Sequence, residues 1–141
     1  MAEYDLTYRS VPESEAFMEN DLSRLLEKHE VDPEAGYRIT LAVSEAFTNA
    51  LIHGNRRDPE KHIKIHLEIN EIAISADIVD EGRGGLGEIK DRKPPELLGE
   101  HGRGIDLIEH YGDSVAFTEL DTGGLKVSVA VKRRHKQGVE Q

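Results

Sequence analysis

The fold is decided by the stretch from residue 63 to residue 80, which reads Ile-Lys-Ile-His-Leu-Glu-Ile-Asn-Glu-Ile-Ala-Ile-Ser-Ala-Asp-Ile-Val-Asp. Apolar residues recur at every second position on both sides of Asn70-Glu71, a period typical of strands with one buried face. We predict a β-hairpin with a two-residue turn there, which pairs residue 69 with 72, 67 with 74, 65 with 76 and 63 with 78. All four pairs are apolar, so helices are expected to cover this face.

The same alternation continues to Asp80, whose side chain is therefore expected to point toward the covered face. A carboxylate at the edge of a core needs a polar partner, because burying an unpaired charge is costly. Asp80 also opens the segment Asp80-Glu81-Gly82-Arg83-Gly84-Gly85, in which glycines permit a close approach of the backbone to a ligand. Asp80 is able to accept a hydrogen bond from the exocyclic amine of a base. The alternative is a glycine-rich turn that Asp80 merely caps.

A second informative stretch, residues 45 to 55, reads Glu-Ala-Phe-Thr-Asn-Ala-Leu-Ile-His-Gly-Asn. Glu45, Asn49 and His53 are four residues apart, so a helix places them along one face, and Gly54 then ends the helix. The helix is predicted to begin at Asp32-Pro33, with a cap and a proline in its first turn. A polar stripe on an otherwise apolar helix indicates a surface that faces a polar ligand. A solvated pair of Glu and Asn is the alternative.

These side chains suit phosphoryl chemistry. The carboxylate of Glu45 can act as a general base toward a hydroxyl group that attacks phosphorus. The amide oxygen of Asn49 is a hard ligand suited to Mg²⁺. His53 is expected to be a residue of the helix end rather than a metal ligand.

The remaining segments complete the predicted order of elements. A strand over residues 4–11 precedes a first helix, which a capping box from Ser10 to Glu13 is expected to open. The long irregular stretch from Gly82 to His101 is predicted to be a lid or binding loop. Gly102-Arg103-Gly104 then opens a short helix, whose free N–H groups suit phosphates, although an ordinary helix entry is the alternative. Two strands, around 115–120 and 125–131, end the chain.

Hairpins with helices on one face predict an α/β two-layer sandwich with a mostly antiparallel, mixed sheet. At 141 residues we expect a single domain over 1–141, with a flexible tail from 134 to 141. The chain has no cysteine and no apolar run near the roughly 20 residues of a membrane helix, so we expect a cytoplasmic protein. The net charge of −10 argues against direct binding of nucleic acid.

Taken together, the motifs resemble the ATP-binding elements of the Bergerat-fold ATPases, the superfamily of gyrase, MutL and histidine kinases. Glu45-x-x-x-Asn49 resembles the N box of that superfamily. Asp80-x-Gly82-x-Gly84 resembles its first glycine box, and Gly102-Arg103-Gly104 its second. Within the superfamily, residues 43–50 followed by His53-Gly54 are most similar to the anti-sigma-factor serine/threonine kinases.

The resemblance implies ATP and Mg²⁺ as ligands and a role for each matching residue. It implies that Glu45 is the general base, Asn49 the Mg²⁺ ligand and Asp80 the acceptor of the adenine amine. Gly82 and Gly84 would let the backbone approach the nucleotide. N–H groups of Gly102, Arg103 and Gly104 would lie at the phosphates, with Arg103 among the available positive charges.

The resemblance also implies partners. A serine or threonine of a small anti-anti-sigma protein would accept the γ-phosphoryl group. The same family binds a sigma factor and often forms a homodimer.

Leu125 departs from the pattern of the resembled family, which usually places a threonine after the glycines that precede the last strand. We expect Leu125 to face the core beside Asp80, and Thr122 is a candidate replacement for the missing hydroxyl. The loss of that hydroxyl is expected to weaken nucleotide binding by roughly 1 kcal/mol, the net worth of one hydrogen bond.

Two rival hypotheses therefore stay open. The first is an anti-sigma module that binds nucleotide without phosphorylating a partner, which Leu125 favours and Glu45 opposes. The second is a phosphorelay component, which the absence of a phosphoacceptor helix opposes.

Overall fold

The computed structural model describes residues 1–83 and 100–134, except for the side chains of residues 100–104. Gly84, most of the predicted lid and the tail from residue 135 onward lie outside the described residues. The elements in chain order are β1 (Ala2–Arg9), α1 (Ser14–Lys28), α2 (Pro33–Asn49), a π-helical turn (Ala50–Gly54), β2 (His62–Ile69), β3 (Ala73–Val79), α3 (Glu100–Tyr111), β4 (Ser114–Glu119) and β5 (Leu125–Lys132).

The described strands form one five-stranded sheet in the order β1-β2-β3-β5-β4. Each pair of neighbours is antiparallel, so this sheet is antiparallel throughout rather than mixed. The three helices and one face of the sheet enclose a single apolar core, to which α2 contributes Ile39, Val43 and Phe47. The predicted α/β two-layer sandwich is confirmed.

The hairpin of β2 and β3 has the predicted inner face but a different register. Ile69 pairs with Ile74 and Leu67 with Ala76, so the predicted pairing of 69 with 72 and 67 with 74 is wrong by two residues. The reason is a longer turn: the Oδ1 atom of Asn70 accepts hydrogen bonds from the N–H groups of residues 72 and 73, at 2.8 and 2.9 Å. A shift of two preserves the face that each side chain occupies. Asp80 accordingly points inward, as predicted.

The predicted capping box of α1 is wrong, whereas the predicted start of α2 is confirmed. Helix α1 begins at Ser14 without a side-chain cap. The backbone N–H of Ser10 bonds to the carbonyl of Lys61 at 2.9 Å, which holds Ser10 beside the strands rather than at a helix end. In α2, Asp32 accepts a hydrogen bond from Ala35 N at 3.1 Å, and Pro33 is the first helical residue.

The chain is anchored after β5. The guanidinium group of Arg133 donates to the carbonyl of His29 at 2.9 Å, at the end of α1. The backbone N–H of Arg134 donates to Oδ1 of Asp32 at 2.9 Å, so the first residue of the predicted flexible tail is held in place. Within the described ranges, none of the helices has the length and apolarity that a membrane crossing requires.

Candidate functional site

The helix that carries the polar stripe ends in a wider turn. Helix α2 is α-helical to Asn49 and continues as a π-helical turn to Gly54, closed by a 2.7 Å hydrogen bond from Asn55 N to Ala50 O. Glu45 and Asn49 are half-buried within the α-helical part and share one face. His53 lies within the π-helical turn, one turn beyond Asn49. Turns of this kind are frequent at functional sites.

Glu45 lies beside the carboxylates of α1. The Ser44 hydroxyl donates to Glu19 at 2.9 Å, and Thr48 contacts Glu15 at 3.5 Å, so residues on either side of Glu45 bind α1. The pKa of Glu15 is raised, first by burial and then by the negative charges of Glu19 and Glu45. These contacts hold Glu45 at the junction of the two helices.

Asn49 has an amide group that is not fully used within the protein. Its Nδ2 atom is buried and has no hydrogen-bond partner among the residues that the structure describes. Buried polar atoms are nearly always paired, so such an atom indicates a missing ligand or water. An amide with this freedom is able to turn its oxygen toward a metal ion. The amide oxygen is a hard ligand, so Asn49 fits Mg²⁺.

Asp80 is a buried carboxylate directly after β3, with 5% of its surface exposed. Its Oδ1 atom accepts hydrogen bonds from the backbone N–H groups of Gly82, at 2.9 Å, and Leu125, at 3.1 Å. Burial raises the pKa of Asp80, and these two hydrogen bonds together with the charge of Lys61 offset part of the rise. The carboxylate is thus fixed in position and poorly hydrated, which is typical of a group that awaits a ligand.

Three glycines surround Asp80 so closely that none leaves room for a side chain. A Cβ atom on Gly54 would overlap the Oδ2 atom of Asp80, and one on Gly124 would overlap its backbone carbonyl oxygen. A Cβ atom on Gly82 would overlap the carbonyl oxygen of Gly54. The end of α2, the end of β3 and the start of β5 therefore meet at Asp80 with their backbones in contact. Only Gly82 of these three was predicted as a site residue.

Asn55 is a further residue at this junction that the sequence analysis missed. It is fully buried, with 0% of its surface exposed. Its Nδ2 atom donates to His62 O at 3.0 Å, and its Oδ1 atom accepts from Glu81 N at 2.7 Å. No local signal identifies it, because an asparagine directly after a helix-ending glycine is ordinary turn chemistry.

Leu125 is buried and adjacent to Asp80, as predicted from the alternation in β5. It reaches Asp80 through its backbone N–H. Thr122 is exposed, and its hydroxyl accepts a hydrogen bond from Gly124 N at 3.5 Å. The predicted site residue Gly84 lies outside the described part of the chain. Residues 102–104 lie within α3, which begins at Glu100, two residues earlier than predicted.

Comparisons with known proteins show the family of the chain. The chain matches the histidine kinase-like ATPase domain over residues 9–131. It is 31% identical over 130 residues to an anti-sigma F factor of Oceanobacillus iheyensis, which covers 89% of this chain and 88% of that protein. It is 33% identical over 124 residues to an anti-sigma F factor of Clostridium perfringens, which covers 84% of this chain and 88% of that protein.

Two solved structures share the fold. The structure of the RsbU and RsbW domains of Rv1364c from Mycobacterium tuberculosis superposes with a TM-score of 0.72 at 16% identity, over 99% of this chain and 35% of that one. The SiaB–SiaC complex from Pseudomonas aeruginosa gives a TM-score of 0.55 at 14% identity, over 90% of this chain and 89% of the matched chain. The family match and the identity over most of both chains show that this chain belongs to the anti-sigma factor kinases of the histidine kinase-like ATPase family.

Proposed function

We propose that this protein is an ATP-dependent serine/threonine protein kinase that acts as an anti-sigma factor and uses Mg²⁺. Membership of the ATPase domain family implies that it binds ATP. The observation that carries the proposal is the Asp80 carboxylate, buried and closely enclosed by Gly54, Gly82 and Gly124 at the end of the helix that bears Asn49.

Asp80 would accept a hydrogen bond from the adenine amine. Its Oδ1 atom is fixed by two backbone N–H groups, so the orientation of the carboxylate is set before the nucleotide arrives. Such preorganisation reduces the entropy lost on binding. Gly82, Gly84, Gly102 and Gly104 would allow the backbone to approach the nucleotide, and Arg103 would add positive charge near the phosphates. Because α3 begins at Glu100, the free N–H groups offered to the phosphates would be those of its first turn, which includes residue 102.

Asn49 would hold Mg²⁺ through its amide oxygen. The unpaired Nδ2 atom supports this role, because no hydrogen bond of that atom to the described residues prevents the amide from rotating its oxygen toward the ion. A bound Mg²⁺ ion supplies positive charge that offsets the charge developing on the phosphate oxygens.

Glu45 would take the proton of the attacking serine or threonine hydroxyl. The hydroxyl oxygen then bonds to the γ-phosphorus, the bond from that phosphorus to the β–γ bridging oxygen breaks, and ADP leaves. The half-buried position of Glu45 at the junction of α1 and α2 supports this role, because a partner protein is able to reach it.

The partners proposed are an anti-anti-sigma protein, as phosphoryl acceptor, and a sigma factor, with a homodimer as the assembled form. The names of the relatives support the first two, since both are anti-sigma F factors. The solved complex of SiaB with SiaC supports binding of a second protein by this fold.

A second candidate is an anti-sigma module that binds ATP but does not transfer its phosphoryl group. The observation that favours it is Leu125, which approaches Asp80 only through backbone and places no hydroxyl there. This candidate predicts the same nucleotide binding as the kinase but no transfer.

Calorimetric titration with ATP and with ADP, each with and without Mg²⁺, tests the proposal. We expect saturable binding that Mg²⁺ strengthens. The second step is incubation of the protein, candidate acceptor proteins and ATP labelled at the γ position. Label on serine or threonine of an acceptor supports the kinase. Absence of heat with either nucleotide would contradict both candidates, whereas binding without labelling of any protein that binds the chain would favour the second.

A further inference from the structure

Asn55 joins three segments that meet beneath Asp80. Its backbone N–H closes the π-helical turn on Ala50 O at 2.7 Å. Its side chain bonds to His62 O, at the start of β2, and to Glu81 N, directly after Asp80. Asn55 therefore attaches the end of α2 to both strands of the hairpin.

These contacts fix the backbone on both sides of Asp80. On the amino side, Asp80 N donates to Leu125 O at 3.1 Å. On the carboxyl side, Glu81 N donates to the side chain of Asn55 at 2.7 Å. Gly54 directly precedes Asn55, and its Cα atom faces the Oδ2 atom of Asp80 so closely that no Cβ atom fits. The unit Gly54-Asn55 thus contacts both the side chain of Asp80 and the peptide that follows it.

We propose that Asn55 is a positioning residue that holds the Asp80 carboxylate where it distinguishes adenine from other bases. The proposal rests on the proposed function, in which Asp80 accepts the adenine amine. Without the Asn55 side chain, Glu81 N loses its acceptor, and Gly54 is no longer tied to the peptide after Asp80. The carboxylate then shifts as a unit with the N–H groups of Gly82 and Leu125 that hold its Oδ1 atom. The selectivity for the base is then lost.

A merely structural role would give a different result. Loss of a buried side chain with two hydrogen bonds destabilises any protein, and partial unfolding weakens the apparent binding of every ligand by the same factor. The ratio of two affinities measured on one variant cancels that factor. A change in the ratio of ATP to inosine triphosphate affinity therefore reports on position rather than on stability.

The experiment is a calorimetric comparison of ATP and inosine triphosphate, which carries an oxo group in place of the amine. The wild type is expected to prefer ATP by roughly 10- to 150-fold, the range for a hydrogen bond to a charged group. In Asn55→Ala the preference should fall below about 3-fold. Asn70→Ala is the matched control, because it removes an asparagine whose side chain also makes two hydrogen bonds to backbone groups, at the far end of the same hairpin. Its preference should stay at the wild-type value.

Asn55→Ser serves if Asn55→Ala does not fold. Its hydroxyl is too short to span from His62 O to Glu81 N, as the amide does at 3.0 and 2.7 Å, so the preference should again fall below about 3-fold. An unchanged preference in folded Asn55→Ala, or a preference abolished equally in Asn70→Ala, would overturn the inference and leave the proposed function intact. Equal affinities in the wild type would instead contradict the role of Asp80.

Discussion

The two ends of the β2–β3 hairpin each depend on one asparagine, and the two residues act in different settings. At the turn, exposed Asn70 accepts from the N–H groups of Ile72 and Ala73, two and three residues further along the chain. At the open end, fully buried Asn55 bonds to His62 and Glu81, seven and twenty-six residues away.

The difference shows how a local turn and a functional junction are stabilised. Water is able to replace the partners of Asn70, because that residue is exposed, so its hydrogen bonds contribute modestly. Water has no access to Asn55, so removing its side chain leaves buried polar groups unpaired at their full desolvation cost. The open end is therefore expected to tolerate change far less than the turn.

The largest effect is expected from Gly82→Ala at the open end. The new Cβ atom would overlap the carbonyl oxygen of Gly54, and two backbones would have to separate. We expect a loss of more than about 3 kcal/mol in the free energy of unfolding, at the upper end of overpacking effects. Urea denaturation measures it.

Gly36→Ala is the matched control. It adds the same methyl group within α2, where the new Cβ atom would meet the Leu26 side chain at 3.9 Å, an ordinary contact. Replacing a helical glycine by alanine raises the free energy of unfolding by up to about 1 kcal/mol. Equal behaviour of the two variants would show that the open end is not tightly packed.

The next effect concerns Asp80→Asn, which should separate binding from stability. The amide keeps an oxygen for the two backbone N–H groups but presents no carboxylate to the adenine amine. We expect the affinity for ATP to fall roughly 10- to 150-fold. Because burial raises the pKa of Asp80, its ionised form opposes folding above that pKa, so the melting temperature at neutral pH should stay equal or rise. Calorimetry and thermal denaturation test both parts, and a lower melting temperature with unchanged affinity would contradict them.

These two ends also explain how much could be predicted from sequence. Local patterns were sufficient for the strands, for the inward direction of Asp80 and for the Asp32 cap of α2. The hairpin register was missed because the acceptor geometry of Asn70 lengthens the turn by two residues. Asn55 was missed because both of its side-chain partners are distant in sequence, and only the folded chain brings them together.

A smaller effect is expected from Asn70→Ala at the turn. Two exposed hydrogen bonds to backbone are lost, each worth roughly 0.5–1.5 kcal/mol, so the free energy of unfolding should fall by about 1–2 kcal/mol. Nucleotide affinity should not change. Denaturation and calorimetry on the same preparation measure the free energy of unfolding and the nucleotide affinity. A loss of nucleotide binding would show that the turn is not functionally distinct from the open end of the hairpin.

The smallest effect is expected midway along the hairpin, on its outer face. His66 bonds to Asp5 at 2.8 Å and to Glu68 at 3.2 Å, and these bonds, that to Asp5 first, raise the pKa of His66. Because folding raises this pKa, protonated His66 stabilises the folded protein. The stabilisation is complete at a pH below the ordinary pKa of about 6.5, and it is lost as the pH rises through the pKa of the folded state. In the wild type we expect the melting temperature to be slightly lower at a pH above the folded pKa of His66 than at a pH below 6.5.

His66→Gln should remove this pH dependence, and the matched variant His62→Gln, on the same face of β2, should keep it. Melting temperatures at about pH 6 and pH 8 measure the effect, which should be small because the pair is partly exposed to solvent. An identical profile in the wild type and His66→Gln would contradict the assignment.

The most direct test of the kinase assignment compares Glu45→Ala with Asn49→Ala, one turn apart on α2. Each variant is titrated with ATP and Mg²⁺ and then assayed for transfer of the labelled γ-phosphoryl group to an acceptor protein. Glu45→Ala should bind ATP close to the wild type while transfer falls roughly 10²–10⁴-fold, the scale for a lost general base. Asn49→Ala should lose binding and transfer together. Glu45→Ala that binds ATP as poorly as Asn49→Ala, or that transfers the phosphoryl group at the wild-type rate, would contradict the account.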